Sequence, residues 1–164
     1  MSHRRRSTDR HGWNSLDNYL AVHDSCMSDL REYFVDSDTL AFEVIDGRTL
    51  RLHGSVYCHG GLVLHVTKLL ELNDTQQVRT FRYRYQAQFA EPPTRQIFRY
   101  DNDHAYLREN HADAHHRHRF NIRTWKEITP PEWVGHDHWP VLREVLDELY
   151  EWWILHRDDR LIYP

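Results

Sequence analysis

The chain has 164 residues, of which 40% are apolar and 28% charged, and it carries a net charge of −4 at neutral pH. Such a length suits one domain with a core of useful size, and the composition excludes a disordered or fibrous chain. The longest apolar run falls far short of the roughly 20 residues a membrane helix needs, and two cysteines, Cys26 and Cys58, make no disulfide framework.

Residues 1–10 hold four arginines against one aspartate, a net +3 that leaves −7 on the remainder. They read as part of a solvated basic tail over 1–12, ahead of one domain over 13–158 and a short tail over 159–164. No apolar signal core follows the basic start, so the expected location is cytoplasmic. From Ser15 to Phe34, Leu16, Tyr19, Leu20, Cys26, Met27, Leu30, Tyr33 and Phe34 keep the spacing of three and four that paints one helical face. Ser15 or Asn14 can cap the start, and Asp36-Ser37-Asp38 should end the helix.

The period then changes to about two. Thr39 to Ile45 and Arg48 to Tyr57 flank Asp46-Gly47, a dipeptide suited to a tight hairpin turn through positive φ angles. His59-Gly60-Gly61 marks a second turn, and Leu62 to Leu72 alternates until Asn73-Asp74. Gln77 to Phe89 alternates cleanly, with Val78, Thr80, Arg82, Arg84 and Gln86 on one face. Arg79, Phe81, Tyr83, Tyr85 and Ala87 share the other, and this aromatic face should turn inward. Glu91-Pro92-Pro93-Thr94 cannot continue a ladder and returns the chain into Arg95 to Asp101. Ala114 to Ile122 reads as the last strand, and Thr129-Pro130-Pro131, between Trp125 and Trp133, as an ordered loop. Leu142, Val145, Leu146, Leu149, Trp152 and Trp153 restore helical spacing, with Pro140 suited to a helix's first turn. The expected class is α+β: an antiparallel meander of about six strands flanked by an N-terminal and a C-terminal helix.

Arg82-Tyr83-Arg84-Tyr85, Phe98-Arg99-Tyr100-Asp101-Asn102 and His115-His116-Arg117-His118, in that order, together with Trp139-Pro140 and the final helix, resemble the TumE family of toxins from bacterial and archaeal toxin–antitoxin modules. The likeness covers roughly residues 38–155. It implies a cytotoxic activity and a protein partner, a cognate helix-turn-helix antitoxin. Asp103-His104-Ala105-Tyr106 stands where the family tends to carry a proline and a histidine pair, which leaves a stand-alone relative on the same scaffold open.

Fourteen histidines are many for this length, and five of them fall between Ile97 and Phe120 together with three aspartates. Strand alternation puts His116 and His118 on one face and His115 and Arg117 on the other. On the neighbouring strand Arg99 and Asp101 share a face, and Phe98, Tyr100 and Asn102 the opposite one. The self-consistent pairing gathers Arg99, Asp101, His116 and His118, since an aspartate beside a histidine fixes its tautomer. Metal-independent RNA cleavage needs a base for the 2′-hydroxyl, an acid for the leaving 5′-oxygen and a cation for the phosphorane; two histidines and an arginine meet that requirement with no cofactor. The toxin resemblance makes RNA the expected substrate, with Arg82, Arg84, Tyr100, Asn102 and Arg117 as binding residues. Two other readings stay open. His116 and His118 have the two-apart spacing that offers imidazoles to a divalent transition metal, with His104, His111, Asp101 or Asp113 as further candidate ligands. Alternatively, the histidines knit a hydrogen-bonded surface on a non-catalytic interaction protein. The oligomeric state is not legible.

Overall fold

The computed structural model describes residues 11–103 and 113–163. The expectations placed on residues 1–10 of the basic tail and on His104 and His111 lie outside the described residues. The architecture is α+β: among the described residues there are nine antiparallel strands in one sheet, with two helices.

β1 (Asn14–Ser15) leads into α1 (Leu16–Arg31), whose start is capped by the Ser15 hydroxyl accepting from the Asn18 amide at 3.2 Å. The helix ends at Arg31 rather than continuing to Phe34. Asp36-Ser37-Asp38, expected as a breaker, instead belongs to β2 (Val35–Asp38), an edge strand that tolerates this polarity because it packs on one side only. β3 (Ala41–Asp46) and β4 (Thr49–Cys58) form the hairpin, closed by Gly47-Arg48 with the Asp46 side chain accepting the Arg48 amide at 2.8 Å. Gly47 does not take the left-handed angle expected of it. β2 and β3 lie one after the other along the same edge of β4.

A short 3₁₀ turn (His59–Gly61) joins β4 to β5 (Leu62–Leu72). Then follow β6 (Gln77–Phe89), β7 (Gln96–Asp101), β8 (His116–Phe120), β9 (Glu127–Trp133) and α2 (Leu142–His156). The spatial order is β2-β4-β5-β6-β7-β8-β9, with β1 on β6 and β3 on β4. Pro140 precedes α2 rather than occupying its first turn, and the Val141 amide donates to Glu144 instead.

The strand count exceeds six because two short pieces, β1 and β2, pair with longer strands and because β9 lies along β8. β9 covers the segment read as a proline loop. It is the last strand in the order, and Pro130-Pro131 fall where the register slips between Arg117↔Glu132 and Arg119↔Ile128, so no ladder donor is lost to them. A second irregularity corrects the faces of β6. Leu69 pairs with Arg82 but Leu70 with Thr80, leaving Phe81 as the extra residue of a bulge. Val78 therefore points into the core along with Tyr83, Tyr85 and Ala87, while Phe81 is exposed.

α1 contributes Met27 and Leu30, and α2 contributes Val145, Leu146 and Leu149, to a core shared with Leu52, Leu64, Tyr83, Tyr85 and Phe98. The face of β5 to β8 under the helices includes Lys68, which donates to Tyr19 of α1, and Tyr100, which donates to Glu148 of α2. The opposite face carries Arg84, Gln86, Arg99, Asp101, His116 and His118. After α2 the chain turns back, burying Ile162 and setting Tyr163 against Phe89. Among the described residues no helix is long and apolar enough to cross a membrane.

Candidate functional site

β7 and β8 pair so that Arg99 stands opposite His118 and Asp101 opposite His116. All four side chains project from the face away from the helices, and they meet. His116 Nε2 lies 3.1 Å from Asp101 Oδ1 and 2.9 Å from His118 Nε2. Arg99 donates through Nε to Asp101 Oδ2 at 2.9 Å, and its Nη2 lies 2.8 Å from His118 Nε2. Asp101, His116 and His118 are buried, and the Arg99 side chain keeps 16% exposure.

The outer nitrogens of both imidazoles are tied down. His116 Nδ1 faces the Ala114 carbonyl at 2.6 Å, and His118 Nδ1 pairs with the Glu127 carboxylate of β9. A carbonyl only accepts, so His116 Nδ1 carries a proton. A guanidinium only donates, so His118 Nε2 presents its lone pair, and His118 Nδ1 donates to Glu127. Burial lowers the proton affinity of His118, Glu127 opposes that, and Arg99 and His116 add to it, leaving its pKa below the ordinary histidine value. Burial alone would raise the Asp101 carboxyl, but hydrogen bonding and charge from His116, the Asp103 amide and Arg99 together hold it well below the usual carboxylate range.

The residues expected to bind substrate divide between the faces. Arg84 stands opposite Asp101 in register, on the cluster's face and exposed. Arg82 pairs with Asp103 at 3.0 Å. Tyr100 and Arg117 point the other way and share Glu148 of α2, so they brace the helix against the sheet instead of facing the cluster. Asn102 is a backbone brace: it accepts the Tyr83 amide at 3.0 Å and donates to the Phe81 carbonyl at 2.9 Å, spanning the bulge. His115, turned away by alternation, stacks on Trp139 and lies 3.1 Å from the Tyr83 hydroxyl. Glu127 is the member that sequence reasoning missed. A glutamate nine residues after His118 becomes a signal only once the proline segment is read as a strand returning along β8.

A family model described as Toxin TumE matches residues 23–153, most of the chain and all of β2 to β9. The chain belongs to the TumE toxin family. It is accordingly the toxin component of a toxin–antitoxin system, and an antitoxin is its general class of partner. No curated protein and no solved structure matches it. Within this TumE chain the matched span contains the Arg99, Asp101, His116, His118 and Glu127 cluster in full, with the strands that position it.

Proposed function

We propose that this toxin acts on RNA and cleaves it at the Arg99–Asp101–His116–His118 cluster. The observation that carries the reading is the orientation of His118. A carboxylate holds one ring nitrogen and the other accepts from a guanidinium, so the lone pair a general base needs is kept on the nitrogen next to an anion site.

As the phosphate draws Arg99 off His118 Nε2, that nitrogen takes the proton of a ribose 2′-hydroxyl, whose oxygen attacks the adjacent phosphorus while the P–O5′ bond breaks; the leaving 5′-oxygen takes a proton from water, giving a 2′,3′-cyclic phosphate and a 5′-hydroxyl. Arg99 and the exposed Arg84 hold the phosphate and neutralise the charge gathering on its oxygens. Asp101 and His116 position this pair: Asp101 binds both His116 and Arg99. The two histidines do not act as acid and base on opposite sides of one phosphate, because their Nε2 atoms are only 2.9 Å apart and an in-line displacement would have to fit between them. His118 is the base and His116 its support.

The reading is tested by inducing the chain in cells without and with its antitoxin while following growth and RNA integrity. Growth arrest accompanied by RNA fragmentation, both absent in His118→Ala, is expected. Arrest with intact RNA, or fragmentation that persists in His118→Ala, overturns the proposal.

A further inference from the structure

The closeness that rules out a two-sided acid–base pair suits another occupant. Asp101, His116 and His118 each offer one ligand atom, and these atoms all lie within 4.8 Å of one another. Ligands held at about 2.0–2.1 Å around a tetrahedral zinc ion stand about 3.3–3.4 Å apart. Here the separations are 2.9 Å between the imidazole nitrogens, 3.1 Å from His116 to Asp101 Oδ1, and 3.8 Å from His118 to Asp101 Oδ2. They bracket that spacing, so small side-chain movements would complete the geometry.

The surroundings agree. A metal-bound histidine characteristically donates its other ring N–H to a carbonyl or a carboxylate, which fixes the tautomer and strengthens the ligand. His116 meets the Ala114 carbonyl in this way, and His118 meets Glu127. The ligands come from two paired strands, β7 and β8, and all three are buried; with three protein ligands, water fills the fourth position of the ion. Two imidazoles and a carboxylate suit zinc and its first-row neighbours better than magnesium or calcium, which prefer all-oxygen sets.

We propose that Asp101, His116 and His118 form a site for a single divalent transition ion of the zinc class, and that the bound ion switches the toxin off. The second clause rests on the ribonuclease reading, because the ion takes the His118 Nε2 lone pair that cleavage requires. Arg99 is the competitor: its Nη2 hydrogen-bonds that same nitrogen, so ion entry displaces this contact.

The test uses the full-length chain purified without a histidine tag and stripped with chelator, titrated with Co²⁺ by absorbance and with Zn²⁺ by calorimetry. One ion per chain is expected, with the visible band of a four-coordinate Co²⁺ centre. Binding is lost in His116→Ala and weakened about 10–100-fold in Glu127→Gln. It tightens in Arg99→Gln. Because His116→Ala empties a buried position, Glu127→Gln and Arg99→Gln keep the test decisive if that variant does not fold. Absence of stoichiometric binding, or affinity indifferent to both of these variants, overturns the site. One equivalent of Zn²⁺ should abolish RNA cleavage and chelator should restore it; cleavage undiminished at full occupancy overturns the switch. A chain that binds the ion but cleaves no RNA when stripped sinks the ribonuclease reading and leaves the metal site standing.

Discussion

Replacing Glu127 with alanine separates an organised site from a surface that merely collects histidines. The carboxylate donates no proton and touches no substrate in the proposed reaction; it holds His118 Nδ1 so that Nε2 faces Arg99. A hydrogen bond to a charged group contributes about 1.5–3 kcal/mol, and about 1.4 kcal/mol corresponds to a factor of ten in rate. The Glu127 side chain keeps 34% exposure, so solvent screens part of this and the lower half of the range applies. The expected loss is about 10–30-fold in kcat with KM little changed. Burial and the neighbouring Arg99 both disfavour protonated His118, and Glu127 is the group opposing them. Its removal therefore lowers the His118 pKa further, and the acidic limb of the rate profile, where the base is protonated, moves to lower pH. The assay is steady-state cleavage of a fluorescent RNA across pH, paired with thermal melts. Glu132→Ala, on the same strand but facing Arg117 and Arg119, serves as the control with unchanged kcat. A kcat within threefold of the unsubstituted chain and an unmoved profile for Glu127→Ala would refute the reasoning.

Tyr100→Phe removes a 2.8 Å bond to Glu148 on the helix side and should cost about 1–2 kcal/mol in denaturant melts while RNA cleavage is unchanged; a selective loss of cleavage would return Tyr100 to the binding surface. Gly60 has φ +72° and a Cβ there would stand 2.5 Å from Trp153 Nε1, so Gly60→Ala should destabilise by at least about 1 kcal/mol, and an unchanged melting temperature would contradict the packing of α2 on this turn. Burial pushes the His115 pKa down to about 4 from its ordinary 6.5, with Asp113 opposing and His136 and His116 adding to the fall. Between those values the unfolded chain binds a proton that the folded chain excludes. The stability from neutral His115 is thus complete above pH 6.5 and is lost as pH falls toward 4. Melting temperature should decline over that window, and His115→Phe should flatten the decline; an equal decline in the variant would place the titration elsewhere.

Much of the fold was legible because its elements obey simple periods. The spacing of Leu142, Val145, Leu146 and Leu149 produced α2, and the alternation either side of Asp46-Gly47 produced the β3–β4 hairpin. The facing set of Arg99, Asp101, His116 and His118 came from alternation together with the chemistry that sets an aspartate beside a histidine, alternation alone having left the register open. Where period failed, so did the reading. One extra residue at Phe81 reverses the faces of β6, and a bulge leaves no mark in composition. Pro130-Pro131 disguised β9, because prolines argue against a strand until it is known to be the edge, and Glu127 was hidden with it. Tyr100 and Arg117 looked like ligands for RNA because their residue types suit it; their partner, Glu148, lies in a helix 48 and 31 residues on, which alternation within two strands cannot reveal.

The central claim is that His118, supported by His116, Asp101 and Arg99, uses the RNA's own 2′-hydroxyl. It is tested most directly by identifying product ends from purified, chelator-treated protein acting on an RNA with one cleavable linkage and on the same RNA with a 2′-deoxyribose at that linkage. The account predicts a 2′,3′-cyclic phosphate and a 5′-hydroxyl from the first, no cleavage of the second, and neither product from His118→Ala. Cleavage of the deoxy substrate, or 5′-phosphate ends, would contradict it.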